Sequence, residues 1–380
     1  MKIIIAPDSF KGSLSAIAAV KAIECGMKRI FPAADFIKMP IADGGEGTLD
    51  TLVYATGGSI EKTKVMSPIG GTVEARWGIL GDGKTAIIEM AEASGLTLVE
   101  AAKRDINKAT TYGTGQLMRA ALEKNLHKII VAIGGSATND GGSGMAQALG
   151  AKFLDENGES IAFGGAALIS LANVDLSKFD RRIEQVEVVV ACDVANPLCG
   201  ENGASAVYGP QKGATTDDVR NLDCALGHYA DIMTRVTGKD FRNSDGAGAA
   251  GGLGAGLLWF TGARMKRGIS LVMETLNFAE KIKEADLVIT GEGRTDKQTL
   301  CGKAPIGIAE IAKAYHIPVV CISGALGKGY EEIFKGGIDG VQAIPHQPMQ
   351  LEDCMKNAEV LLTLAAERVA RLIKIRRELK

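Results

Sequence analysis

Ile3-Ile4-Ile5-Ala6-Pro7-Asp8-Ser9-Phe10-Lys11-Gly12-Ser13 is a short apolar run that breaks on a turn carrying a carboxylate, a lysine and a glycine. The same grammar recurs along the chain. Phe36-Ile37-Lys38-Met39-Pro40-Ile41 leads into Ala42-Asp43-Gly44-Gly45-Glu46-Gly47-Thr48, and Ile129-Ile130-Val131-Ala132-Ile133 leads into Gly134-Gly135-Ser136-Ala137-Thr138-Asn139-Asp140-Gly141-Gly142. Val188-Val189-Val190-Ala191 leads into Cys192-Asp193-Val194-Ala195-Asn196-Pro197, and Leu287-Val288-Ile289-Thr290 into Gly291-Glu292-Gly293-Arg294-Thr295-Asp296. In a parallel α/β sheet, ligands bind outside the carboxyl ends of the strands, where such turns lie. Glycines bring bare N–H groups near an anion, and carboxylates hold a cation or take a proton. The pattern points to phosphate and Mg2+ chemistry.

Outward from these runs, residues 1–60 read as two βα units. The first helix is expected over about 15–30, capped by Ser13 or Ser15, and the second from Thr48 to the Gly57-Gly58 stop. Residues 64–90 alternate like antiparallel strands, and Asp155-Glu156-Asn157-Gly158-Glu159 reads as a hairpin turn with Asn-Gly at its centre. Helical patterns occupy about 113–125 and 216–236. From about 285, β/α alternation returns, with strands near 286–290, 317–322 and 340–344, helices near 304–314 and 329–336, and a long terminal helix over 351–378. The two ends share one grammar and the middle has another. The expected fold is therefore α/β: a Rossmann-like doubly wound domain built from 1–61 and 276–380, interrupted by a mixed α/β domain at 62–275, with the site in the cleft between them.

At 380 residues the chain exceeds a comfortable single core. With 43 basic and 45 acidic residues interspersed, it offers no electrostatic reason to bind nucleic acid or an anionic membrane. The seven cysteines are scattered without a Cys-x-x-Cys pair, which suits reduced, buried thiols, and the N-terminal apolar stretch is too short for a signal peptide. A cytoplasmic location is expected. His127, His228, His316 and His346 lack metal-ligand spacing and read as structural.

Two motif matches fail on context. Gly78-Ile79-Leu80-Gly81-Asp82-Gly83-Lys84-Thr85 satisfies the P-loop pattern, but a strand rather than a helix follows it. Gly246-Ala247-Gly248-Ala249-Ala250-Gly251 satisfies GxGxxG, yet polar Arg242-Asn243-Ser244-Asp245 precedes it instead of a strand. That leaves either a small-residue helix for close packing or a helix N-terminus facing an anion. Other candidates carry more chemistry. Lys11, with the amides of Gly12 and Ser13, could cradle phosphate or carboxylate, against the plainer reading of an exposed lysine near a capping serine. Asp8 is a turn former or a proton acceptor. Asp43 is the better Mg2+ ligand of its loop, since Glu46 also suits the start of the next helix. Asp193 is either bonded by its own turn or functional. Arg294 matches a carboxylate or phosphate, with Asp296 placed to hold it in a local ion pair.

Taken together, these stretches resemble the bacterial type-1 glycerate kinase family. The resemblance rests on 6–13, 42–48 and 134–142, on Cys192-Asp193-Val194-Ala195-Asn196-Pro197-Leu198 and Gly209-Pro210-Gln211-Lys212-Gly213-Ala214, on 246–254, and on Gly291-Glu292-Gly293-Arg294 with Gln298-Thr299. It runs from about residue 2 to 372 in order, departing at Ser244-Asp245, where proline is expected. It implies ATP-dependent phosphorylation of D-glycerate to 2-phospho-D-glycerate, with ATP as cofactor beside the Mg2+ expected from the carboxylate loops, and a Rossmann-like domain interrupted by a second domain. Individual roles are assigned on chemistry. Lys11 and Arg294 take the two anionic groups, substrate carboxylate and phosphoryl in transit, with Asp8, Ser9 and Asp296 completing the acid's site. Of Asp43 and Asp193, one holds Mg2+ and the other orients or deprotonates the hydroxyl. Gly134, Gly135, Ser136, Thr138, Asn139 and Gly141 take the nucleotide phosphates. A nicotinamide dehydrogenase would need GxGxxG in the first turn, which is absent. A non-catalytic sensor of sugar acids would have no use for so many spaced carboxylates.

Overall fold

The computed structural model describes residues 1–301 and 303–378, the side chains of Cys301 and 376–378 excepted. The chain forms two compact units: Met1–Asp43, Asp50–Thr56 and Ile269–Lys380 in the first, Gly44–Leu49 and Gly57–Gly268 in the second. Both are α/β.

The first unit is built on a five-stranded, all-parallel sheet. Its order is Gly340–Ala343, Val319–Leu326, Leu287–Thr295, Lys2–Pro7 and Asp35–Lys38. Ile3, Ile4 and Ile5 are all fully buried, as unbroken apolar runs in a sheet covered on both faces must be. Ile3 and Ile5 share a core with the helices Ala16–Lys28 and Ala358–Glu378. These two helices approach so closely that a Cβ on Gly26 would sit 2.1 Å from the Thr363 carbonyl oxygen. The chain winds one way from Lys2–Pro7 to Asp35–Lys38 and the other way from Leu287–Thr295 outward. The winding therefore reverses between the two central strands, where Pro7 pairs with Gly291. A crevice outside the carboxyl ends of the strands forms at such a reversal.

The second unit holds a six-stranded mixed sheet ordered Arg264–Lys266, Glu187–Ala191, Lys128–Ala132, Thr85–Glu89, Thr72–Ile79 and Ser59–Met66. The first four are parallel. The antiparallel expectation for 64–90 holds only on one side of Thr85–Glu89, whose other edge pairs parallel with Lys128–Ala132. Lys152–Leu154 and Asn173–Asp175 form a separate two-stranded ribbon. Gly44–Leu49 packs with this unit: a Cβ on Gly44 would meet that of Ala191 at 2.8 Å, and Leu49 N–H donates to Glu89 Oε1 at 2.7 Å.

Several local readings are corrected. The expected 351–378 helix breaks into Leu351–Lys356 and Ala358–Glu378 at Asn357, whose side chain donates to the Asp353 carbonyl. At the Asn157-Gly158 turn only Gly158 takes a positive φ, with Asp155 accepting backbone bonds from 157 and 159. Residues 330–336 form a 3-10 rather than an α-helix. Cys25 and Cys224 are exposed, contrary to the buried-thiol reading; the Cys301 side chain lies outside the described residues. Among the described residues no helix is long and apolar enough to cross a membrane.

Candidate active site

In the first unit, functional side chains gather at the winding reversal. Asp8 follows the Lys2–Pro7 strand directly, and its N–H donates to the Gly291 carbonyl at 2.8 Å. Burial pushes the Asp8 carboxyl up to about 7, and the negative charges of Asp43 and Glu292 push the same way, against the opposing Ser9 N–H bond. Three carboxylates thus share one electrostatic neighbourhood, with Asp43 the exposed member.

Glu292, only 6% exposed, accepts from Thr295 Oγ1 at 2.9 Å and Thr299 Oγ1 at 2.8 Å, while Lys303 Nζ lies 3.7 Å from its other oxygen. Burial raises its pKa from the ordinary carboxylate value. Thr295 also bonds Ser323, so a buried hydroxyl network fixes Glu292 beneath the site. Sequence reasoning quoted Glu292 but gave it no role. Its signal is a carboxylate two residues beyond the Leu287–Thr290 run, inside the strand Leu287–Thr295.

Lys11 is exposed, in a tight turn closed by Phe10 and Leu14, which exchange backbone bonds at 2.8 and 3.0 Å. The Ser13 amide is spent on the Phe10 carbonyl and the Ser13 hydroxyl on that of Met355, so Ser13 does not form the anion cradle expected there. The helix cap is Ser15, whose Oγ accepts from Ala18 N–H. Gly293 lets the Lys11 turn lie close: a Cβ there would stand 3.2 Å from Lys11 N. Arg294 extends from the Leu287–Thr295 strand with its side chain 68% exposed, and its Nε lies 3.2 Å from Asp296 Oδ2. Asp296 also accepts from Gln298 N–H. It is a brace for Arg294 and for the turn after it.

In the second unit, the 134–143 turn follows Lys128–Ala132. Gly134 and Gly135 are exposed, while Ser136, Thr138, Asn139 and Gly141 are buried. The amides further along are consumed internally. Gly142 and Gly144 donate to the Asp140 carboxylate, and Gly141 donates to the Gly251 carbonyl. Asp140, fully buried, also accepts from Thr111 N–H at 2.7 Å and from Thr111 Oγ1, and burial raises its pKa against those bonds. The edge that faces outward is therefore Gly134-Gly135, running into the buried Ser136, with Thr138, Asn139 and Gly141 beneath it. Asn139 Nδ2 donates to Ser205 Oγ, whereas Asn139 Oδ1 and Thr138 Oγ1 have no hydrogen-bond partner among the described residues.

The 246–252 segment buttresses this turn from behind. Ala250, Gly251 and Gly252 are left-handed, so regular helix begins only after them. A Cβ on Gly251 would lie 1.9 Å from the Thr138 carbonyl oxygen. The close-packing reading of this segment is the one the geometry supports; it presents no helix N-terminus at Gly246. The P-loop match is a hairpin turn, with Lys84 and Thr85 N–H groups on Asp82 Oδ1. Asp193, exposed at the end of Glu187–Ala191, accepts from Gly268 N–H at 3.0 Å. His228 Nε2 donates to the Leu171 carbonyl and is structural.

Lys212 was not singled out. It is 2% exposed, and its Nζ donates to Ser136 Oγ and to the Thr138 carbonyl, both at 2.7 Å. Burial pushes this ammonium down to about 7, with Asp140 pulling the other way.

A family model described as the glycerate kinase family matches residues 3–374. The chain belongs to the glycerate kinase family. It is 51% identical over 373 residues to the glycerate kinase of Haemophilus influenzae, covering 98% of this chain and 99% of the relative. It is 48% identical to the glycerate 2-kinase of Escherichia coli, covering 99% and 98%. A crystal structure from Salmonella typhimurium LT2, provisionally named glycerate kinase 2, superposes with a TM-score of 0.92 at 49% identity, covering 100% of this chain and 99% of that one. The α/β fold and the kinase class expected from the sequence are thereby established, and membership of a kinase family implies ATP as phosphoryl donor.

Proposed function

We propose that this glycerate kinase transfers the γ-phosphoryl group of ATP to the 2-hydroxyl of D-glycerate, giving 2-phospho-D-glycerate in the cytoplasm. The observation that carries the reading is the convergence of Asp8, Asp43 and Glu292 at the winding reversal, with Lys11 on the turn after Lys2–Pro7 and Arg294 on the strand Leu287–Thr295, in a chain of this family. The relative named glycerate 2-kinase supports the choice of hydroxyl. Phosphoryl transfer asks for positioning and charge neutralisation more than for covalent catalysis.

In this reading Arg294, braced by Asp296, binds the glycerate carboxylate through its planar fork. Lys11 neutralises the phosphoryl in transit. Asp8, with the Ser9 amide on its oxygen, orients the acceptor hydroxyl and takes up its hydrogen bond. The 134–136 edge offers amides and a hydroxyl to the nucleotide phosphates, with Thr138, Asn139 and Gly141 as its support. Among the described residues no three His, Cys, Asp or Glu side chains form a metal cage. Mg2+ takes one or two carboxylates plus substrate phosphates, and either exposed carboxylate, Asp43 or Asp193, fits as such a donor. When bound, Mg2+ would neutralise phosphate charge.

The test is ADP release from MgATP with D-glycerate, L-glycerate and lactate as acceptors. Release that depends on D-glycerate is expected. A folded protein that releases no ADP above background with any of them would refute the assignment.

A further inference from the structure

We propose that Lys212 is the positioning residue of the nucleotide-phosphate turn: its buried ammonium clamps Ser136 Oγ to the Thr138 carbonyl and so holds the 134–136 edge in the shape and positive potential a triphosphate binds. The inference rests on the reading of 134–136 as the phosphate edge. Both bonds are 2.7 Å long and both end on the turn. The lysine reaches it from a separate 3-10 turn, Pro210–Lys212, which closes on the left-handed Gly213. The amides of 141–144 cannot do this work, because Asp140 and Gly251 already occupy them.

The turn is not satisfied by its own groups, since Thr138 Oγ1 and Asn139 Oδ1 are buried without a partner among the described residues. Such atoms are costly, and so is an ammonium 2% exposed. An apolar side chain of similar volume would serve stability better than this lysine, so its presence needs another reason. A cation bonded to Ser136, next in the chain after exposed Gly134 and Gly135, supplies one, because the charge acts on an anion at the edge through a poorly polarisable layer.

The test is calorimetric titration of Lys212→Met, separately with MgATP and with D-glycerate, on protein shown folded by circular dichroism. The expected result is ATP binding weaker by about tenfold or more, the scale of losing hydrogen bonds from a charged donor, with glycerate affinity unchanged. Lys212→Gln, which keeps a donor for the Thr138 carbonyl, is expected to fall between the two and serves if the methionine variant does not fold. Unchanged ATP affinity, or equal weakening of both ligands, would overturn the proposal. Ser136→Ala separates the two levels. Loss of ATP binding there but not in Lys212→Met leaves the phosphate edge standing and removes the lysine; no loss in either variant removes both.

Discussion

Replacing Gly251 with alanine tests whether the 246–252 segment is a rigid buttress. Gly251 sits at φ +68, where an L side chain is strained by about 1–2 kcal/mol. Its new Cβ would also lie 1.9 Å from the Thr138 carbonyl oxygen and 2.6 Å from Asn139 Cα, both backbone atoms that cannot rotate away. Overpacking of this kind adds about 1–3 kcal/mol. The strain alone can be read from Gly158→Ala, at φ +81 with nothing within 4 Å of the added carbon. The difference between the variants, about 1–3 kcal/mol, is then the collision. Urea unfolding followed by tryptophan fluorescence measures it, because Trp77 and Trp259 are both buried in the second unit. Gly251→Ala should also raise the KM for ATP, since relief of the clash moves 138–139. Equal destabilisation by the two substitutions, with ATP kinetics unchanged, would refute the buttress.

Other perturbations address the charges. Lys212 falls from the ordinary 10.5 to about 7 on folding, so the native state holds fewer protons than the unfolded chain between those values. Stability should therefore rise with pH across that window, by up to about 5 kcal/mol from this group. Urea midpoints at pH 6.5 and 9.5 should show that rise shrinking in Lys212→Met; parallel profiles would exclude it. Lys11→Ala and Asp193→Asn should each lower kcat by about a hundredfold or more, as loss of one positioned charge does. Steady-state turnover near wild type in a folded variant would remove that residue from the machinery. Arg294→Lys should raise the KM for D-glycerate by about tenfold, since an ammonium lacks the planar fork. Asp296→Ala should add little on top of it, because Asp296 acts through Arg294 Nε; additive effects in a double-mutant cycle would give Asp296 an independent role.

Where structure depended on local chemistry, the sequence was readable. The apolar run of Ile3 to Ile5, the stop after Thr56 and the helix Thr216–Thr237, expected over about 216–236, all follow from neighbouring residues. The mixed pairing of Thr85–Glu89 was not readable, because one edge is set by a hairpin and the other by a strand 43 residues on, at Lys128. Likewise, the glycines at 251 and 252 read as helix until their partner, the Thr138–Gly141 backbone, is seen against them. At the site, each strand-end carboxylate announced itself by following an apolar run. Lys212 did not, since a lysine between a glutamine and a glycine looks solvated and only the tertiary fold buries it. The same holds for Thr138 and Asn139, whose polarity suggested ligand contact but which lie under the edge they support.

The central claim is most directly tested by 31P NMR of the purified protein with MgATP and D-glycerate. A 2-phosphoglycerate resonance growing in step with ADP is the predicted result. A 3-phosphoglycerate signal would overturn the assigned hydroxyl, and unchanged ATP with folded protein would contradict the kinase account itself.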